Sequence, residues 1–219
     1  MSVEEVLARL RGLADPSRVA GMARYGIGGG TVLGVTVAEL RALAKDLGRS
    51  HDLAAGLWAS GVHEARILAS LVEEPGRVTA AQLDDWASGF RSWDLCDQVC
   101  QNLVRHTPFA WDKALEWSGR PEPFVKRAGF AVMAGLAVAD RTSDDERFRP
   151  LLRAVAGHAE DDRSVVRKGA SWALRQIGKR SPGLHADAVE AARELLPGGP
   201  GASWVGRDAL RELERRTPR

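Results

Sequence analysis

The chain has 219 residues, of which 44% are hydrophobic and 27% charged, enough to bury one sizeable core and too charged to read as a membrane protein. That balance excludes a disordered or fibrous chain, and the longest apolar run, Phe130 to Ala139, is far short of a bilayer span. A net charge of +2 points to no partner class by itself, and an N-terminus with two glutamates (MSVEEVLARL) lacks secretory character, so a cytoplasmic protein is expected.

Apolar residues recur every three or four positions almost throughout, and no long alternating pattern appears. The spacing predicts helices over 2–14, 16–25, 36–48, 51–60, 63–73, 79–90, 93–106, 108–118, 122–139, 144–159, 164–180, 184–196 and 203–216. Asp15 before Pro16 reads as a cap followed by a first-turn proline. Thr36 followed by Glu39 has capping-box spacing, while Pro121 and Pro182 read as closing the helices before them. Between the second and third helices lies GIGGG (26–30). It follows a helix rather than a strand and no lysine–serine pair ends it, so it reads as a flexible connection or a helix region weakened by glycine, not a nucleotide loop.

Val125, Val165 and Val205 recur at an interval of 40, each followed two residues later by an arginine: Arg127, Arg167 and Arg207. A period near 40 with two helices per unit is the signature of HEAT- or armadillo-type stacking. The expected fold is therefore all-α, an α-solenoid of HEAT-like repeats in a single domain over 1–219. Within it, 1–35 hold the N-terminal helices and glycine-rich loop, and 36–219 the stacked repeats. In such a stack the second helices of successive units line one concave wall, so the three arginines form a ladder along it. They can face a ligand, or they can bond carbonyls and acids of the next repeat.

Charge is unevenly distributed. Residues 1–119 hold 12 Lys/Arg against 15 Asp/Glu, and residues 120–219 hold 19 against 14. Between Arg163 and Ala186 there are six bases and no acid. Such a surplus suits a polyanion; a solvated helix face is the alternative. Lys168, Trp172, Arg175 and Lys179 share one stripe of a helix, a poor hydrophobic seam but a usable surface for phosphates and an exposed base. Trp93 and Asp97, at i and i+4 in SWDLCDQVCQNL, share a helix face. On the residues alone, Trp93 reads as packing and Asp97 as a salt-bridge partner. Cys96 and Cys100, one turn apart, read as buried thiols, with no histidine spacing to complete a metal site.

Taken together, SWDLCD, FVKRAGF and VRKGASWALRQ resemble the AlkD-like DNA alkylation repair proteins, a HEAT-like repeat family of DNA glycosylases. The resemblance runs from Met22-Ala-Arg-Tyr25 to the last repeat. It implies that Trp93 and Asp97 are the family's tryptophan and catalytic aspartate, that Arg127 holds the backbone near the lesion, and that Trp172 is a second cleft tryptophan. Tyr25, Lys126, Arg167, Lys168, Arg175, Lys179 and Arg207 are then expected to face DNA. The implied activity is release of cationic alkylpurines such as 3-methyladenine and 7-methylguanine from double-stranded DNA, without flipping the base into a deep pocket. A monomer associated with the nucleoid is expected, with neither metal nor cofactor. Where family members continue an N-terminal helix bearing DNA contacts, this sequence has GIGGGTV. A DNA-binding relative without excision activity is therefore the alternative, and a protein scaffold the third reading.

Overall fold

Short amphipathic helices joined by tight connections account for almost all of the chain, which is described by a computed structural model over residues 1–28 and 30–215. Among the described residues there are thirteen α-helices and two 3-10 turns. They fall into two compact units, residues 1–108 and residue 109 onward.

The first unit contains α1 (Val3–Gly12), α2 (Pro16–Arg24), α3 (Val37–Leu47), α4 (His51–Ala59), α5 (His63–Val72), α6 (Ala80–Ser88) and α7 (Trp93–Asn102). Its helix starts are chemically marked as expected. Asp15 accepts from the Ser17 N–H ahead of Pro16 in α2. Thr36 and Glu39 close a reciprocal capping box on α3, satisfying two otherwise orphaned N–H groups. α5 packs against α3, α4 and α7, and is buried along most of its length. The segment predicted as one helix over 93–106 breaks at Leu103 and ends in a 3-10 turn, Val104–His106.

The second unit contains α8 (Ala110–Ser118), α9 (Pro123–Ala139), α10 (Arg149–His158), α11 (Ser164–Gly178), α12 (Pro182–Glu194) and α13 (Pro200–Leu213). First helices α8, α10 and α12 pack in succession, as do second helices α9, α11 and α13. Two layers result, with the buried apolar faces between them. α8 and α9 meet at Gly129, where an added Cβ would lie 2.3 Å from the Ser118 backbone nitrogen. Pro182 opens α12 instead of closing α11, which ends at Gly178. Its missing N–H is no loss in a first turn, where that group has no helical acceptor. The stretch predicted as helix 144–159 is a 3-10 turn, Asp145–Arg147, followed by α10. The last helix begins three residues earlier than expected, at Pro200.

The repeat is legible in the long-range bonds. Lys126 reaches Asp161, Arg127 reaches Val165, Arg149 reaches Asp187 and Ser171 reaches Asp208, each crossing 35 to 38 residues. Each repeat is thus bonded to the one beside it.

Candidate nucleic-acid interface

Trp93 and Asp97 stand on α7, whose buried side is made by Leu95, Cys96, Val99 and Cys100. The opposite side leaves Trp93, Asp94 and Asp97 partly accessible. Both cysteines are buried free thiols. The Trp93 indole Nε1 donates to the Tyr25 carbonyl at 2.8 Å, which joins two residues singled out in the sequence. Tyr25 follows α2, and its ring is exposed.

The first turn of α5 braces this arrangement. His63 Nε2 lies 2.8 Å from an Asp94 oxygen, with both side chains largely buried. Burial alone would raise the Asp94 carboxyl. The bond and charge of His63, helped by Ser92 and the Leu95 N–H, outweigh burial and hold it below the ordinary carboxylate range. Neither the Ser92 hydroxyl nor Asp94 Oδ1 has a partner at good hydrogen-bond geometry, so the Ser92 contribution is an off-line contact. The His63 N–H donates to the Thr31 carbonyl, and the buried Glu64 carboxylate accepts from the N–H groups of Leu33 and Gly34. Gly34, at φ 81° and with the Asp15 carbonyl where a Cβ would sit, makes that approach possible.

A closed circuit follows: Tyr25, the glycine-rich segment, Thr31, His63, Asp94, Trp93 and back to the Tyr25 carbonyl. The glycine-rich segment leaves α2 through Gly26 at φ 74° and is not helical where described; Gly29 lies outside the described residues. His63 and Glu64 escaped the sequence reading. A histidine and a glutamate opening an amphipathic helix carry no pattern that points to a loop thirty residues earlier.

In the second unit the expected residues lie on the second-helix layer. Arg127 is buried and donates to the Val165 carbonyl at 2.7 Å, so this contact joins one repeat to the next. Lys126 pairs with Asp161 at 3.1 Å. Asp161 is also bound by Arg163, and these bonds hold its carboxyl well below the usual range despite partial burial. Arg167 lies over the Trp204 ring at 4.8 Å, again reaching the following repeat. Arg175 is ion-paired with Asp208. Its Nε sits 2.8 Å from a Glu212 oxygen, close enough for charge pairing although off the line of an N–H bond. Lys179 pairs with the other Glu212 oxygen at 2.9 Å. Lys168 and Arg207 are exposed, Arg207 donating to Ser203, and Trp172 is half-buried. The predicted basic stripe therefore splits, with Lys168 facing solvent and Arg175 and Lys179 joined to acids of α13.

Among the described residues no group of three His, Cys, Asp or Glu side chains gathers to hold a metal ion, and no helix is long and apolar enough to cross a membrane.

The sequence matches the profile of a family described as "DNA alkylation repair enzyme" over residues 6–213. No curated protein matches it. The fold is similar to that of a solved structure described as "a new family of proteins related to the HEAT-like repeat DNA glycosylases with affinity for branched DNA structures". The TM-score is 0.80 at 20% identity, covering 98% of this chain and 95% of that one. At that identity the likeness concerns the fold, which is of the HEAT-like repeat type.

Proposed function

Because the chain belongs to the DNA alkylation repair enzyme family, we propose that it is a DNA N-glycosylase acting on cationic alkylpurines in double-stranded DNA. The observation that carries this reading is the accessible side of α7, where Asp97 lies one turn from an indole tethered to the Tyr25 carbonyl. N-alkylation leaves a positive charge on the purine and weakens the bond to C1′. As that bond breaks, its electron pair goes to the purine, which leaves neutral, and cationic character builds on the sugar. The Asp97 carboxylate stabilises this cation and orients a water for attack on C1′, accepting the proton that the water loses. The electron-rich face of Trp93 suits contact with the cationic sugar, and Trp172 offers DNA a further indole on the second-helix layer. Neither metal nor organic cofactor enters this chemistry.

Lys168 and Arg207, exposed on the second-helix layer, are the first candidates for phosphate contact, with Tyr25 beside the lesion. Lys126, Arg175 and Lys179 reach a phosphate only by exchanging a carboxylate for it, and Arg167 only by leaving Trp204. Arg127, held on the Val165 carbonyl, contacts a DNA backbone only if its guanidinium turns from that inter-repeat bond. The protein works as a monomeric single domain at the nucleoid.

The experiment is release of free base from methylated duplex DNA, with Asp97→Asn as control. Excess release by wild type supports the reading, and equal release by the two proteins overturns it. Engagement of Arg175 and Lys179 by α13 favours a second reading, a relative that binds DNA without excision. The structural neighbour's described affinity for branched DNA names the ligand to try. Tight binding to a four-way junction without base release would select it.

A further inference from the structure

The α7 side that carries Trp93 and Asp97 continues, at a four-residue step, to Gln101, and past the break at Leu103 the 3-10 turn Val104–His106 brings Arg105 back against it. At ~1.5 Å per helical residue, Gln101 lies ~12 Å from Trp93, roughly three to four base-pair steps of a duplex. Arg105 Nε donates to His106 Nε2 at 3.1 Å and its Nη1 to Gln101 Oε1 at 3.3 Å. Both acceptors are neutral. An imidazole that accepts at Nε2 carries its proton on Nδ1, and His106 is kept in that form. Burial lowers its proton affinity first, and the positive charges of Arg105 and Arg49 lower it further. Arg49, exposed beyond the end of α3, donates to the Glu73 backbone carbonyl. The Glu73 carboxylate itself is taken by His51 and Gln82, each at 2.8 Å.

Among the described residues neither guanidinium has a carboxylate within ion-pair distance. Arg9, Arg18 and Arg77 of the same unit each have at least one. Two guanidiniums thus act on one histidine, both hydrogen-bonded to neutral atoms, in a unit with more acids than bases. Like charges held together without a counter-charge favour an anion that can accept from both.

We propose that Arg49, Arg105 and His106 form a phosphodiester-binding site for the DNA backbone flanking the base that faces Trp93 and Asp97. The site rests on the reading that the protein binds DNA. A bound phosphate accepts from the guanidinium forks and can take a further bond from a protonated His106, whose charge it would offset. Such a contact carries no base preference and fixes the register of the duplex along α7.

The test is fluorescence anisotropy of a labelled duplex, with wild type, Arg49→Gln, Arg105→Gln, the double variant and Lys168→Gln, across a salt series. Each single arginine variant should bind several-fold more weakly and lower the slope of log Kd against log salt by about 1, the double variant by about 2. Arg105→Lys, which keeps the charge, should retain most of the slope. It also separates lost contact from misfolding, as does a melting curve for each protein. A double variant that is folded, with wild-type affinity and slope, overturns the proposal. If wild type binds no duplex while Lys168→Gln is equally silent, the DNA-binding reading fails first. The site is then tested with inorganic phosphate, read from the His106 imidazole resonance. A shift in wild type that vanishes in the double variant supports an anion site, and no shift overturns it.

Discussion

The two units use their cations in opposite ways. From residue 109 onward there are 20 Lys/Arg against 16 Asp/Glu, and in residues 1–108 there are 11 against 13. Charge counting therefore assigns the polyanion surface to the second unit. Yet Lys126, Arg175 and Lys179 there are paired with Asp161, Asp208 and Glu212, and Arg180 donates to the carbonyls of Asp140 and Ser143. In the acidic first unit, Arg49 and Arg105, whose charges both bear on His106, donate to neutral acceptors. What a polyanion feels is the charge left after internal pairing, and a sequence total does not subtract those pairs.

The largest expected effect places chemistry in the first unit alone. Asp97→Asn should lower base release by about 10²–10³-fold, the scale of losing one strong electrostatic contact to a developing charge. Duplex affinity should stay near wild type, and a matching loss of affinity would show that Asp97 acts in binding. Arg127→Ala tests the opposite role in the second unit. Deleting a buried charged donor from the Val165 carbonyl should cost about 2–3 kcal/mol in urea unfolding. A loss confined to base release, with stability intact, would return Arg127 to the lesion.

The sharpest contrast is Arg175→Gln against Arg105→Gln. Breaking the partly buried Arg175 pairs should cost about 1–2 kcal/mol of stability, leaving the salt slope of DNA binding unchanged. A slope reduced by Arg175→Gln would mean that DNA displaces Asp208 and Glu212. The smallest effect is a pH dependence. His106 and His158 both have proton affinities depressed by burial and nearby cations, Arg105 and Arg49 in one case and Lys126 in the other. The unfolded chain therefore binds more protons below the usual histidine value of 6.5. Stability should be full above that pH and fall as pH drops through the lower folded values. Melting at pH 7.5 and 5.5 should show this, with a smaller loss in His106→Gln. An equal loss in that variant would assign the effect elsewhere.

Much of the fold was legible because its signals are local. Three- and four-residue periodicity gave the helices, Thr36 and Asp15 marked starts, and the 40-residue recurrence of valine and arginine gave the repeat. Misplaced boundaries came from elements whose neighbours decide them. Pro182 reads equally well as stop or first turn, and Leu103 ends α7 inside an apolar pattern. At the candidate site, Trp93 and Asp97 were readable as one helix face. Tyr25 was expected to contribute its ring, whereas the structure also engages its carbonyl. The partners of Arg175 and Lys179 lie 33 residues onward, so helix periodicity on α11 alone could not foresee them. The same holds for His63, whose bond to Asp94 crosses 31 residues.

The bonds from α11 to α13 also bear on how this layer moves. Among the described residues α13 packs chiefly on α11 and α12, and a helix held by few neighbours opens more readily than one enclosed within a stack. When α13 opens, Asp208 and Glu212 leave Arg175 and Lys179, and Trp204 leaves Arg167. Partial unfolding of this helix is therefore also a change of surface charge, uncovering three cations that the closed form neutralises or shields. DNA would favour the opened form by offering those cations new counter-charges, so hydrogen exchange in α13 should quicken when duplex is added.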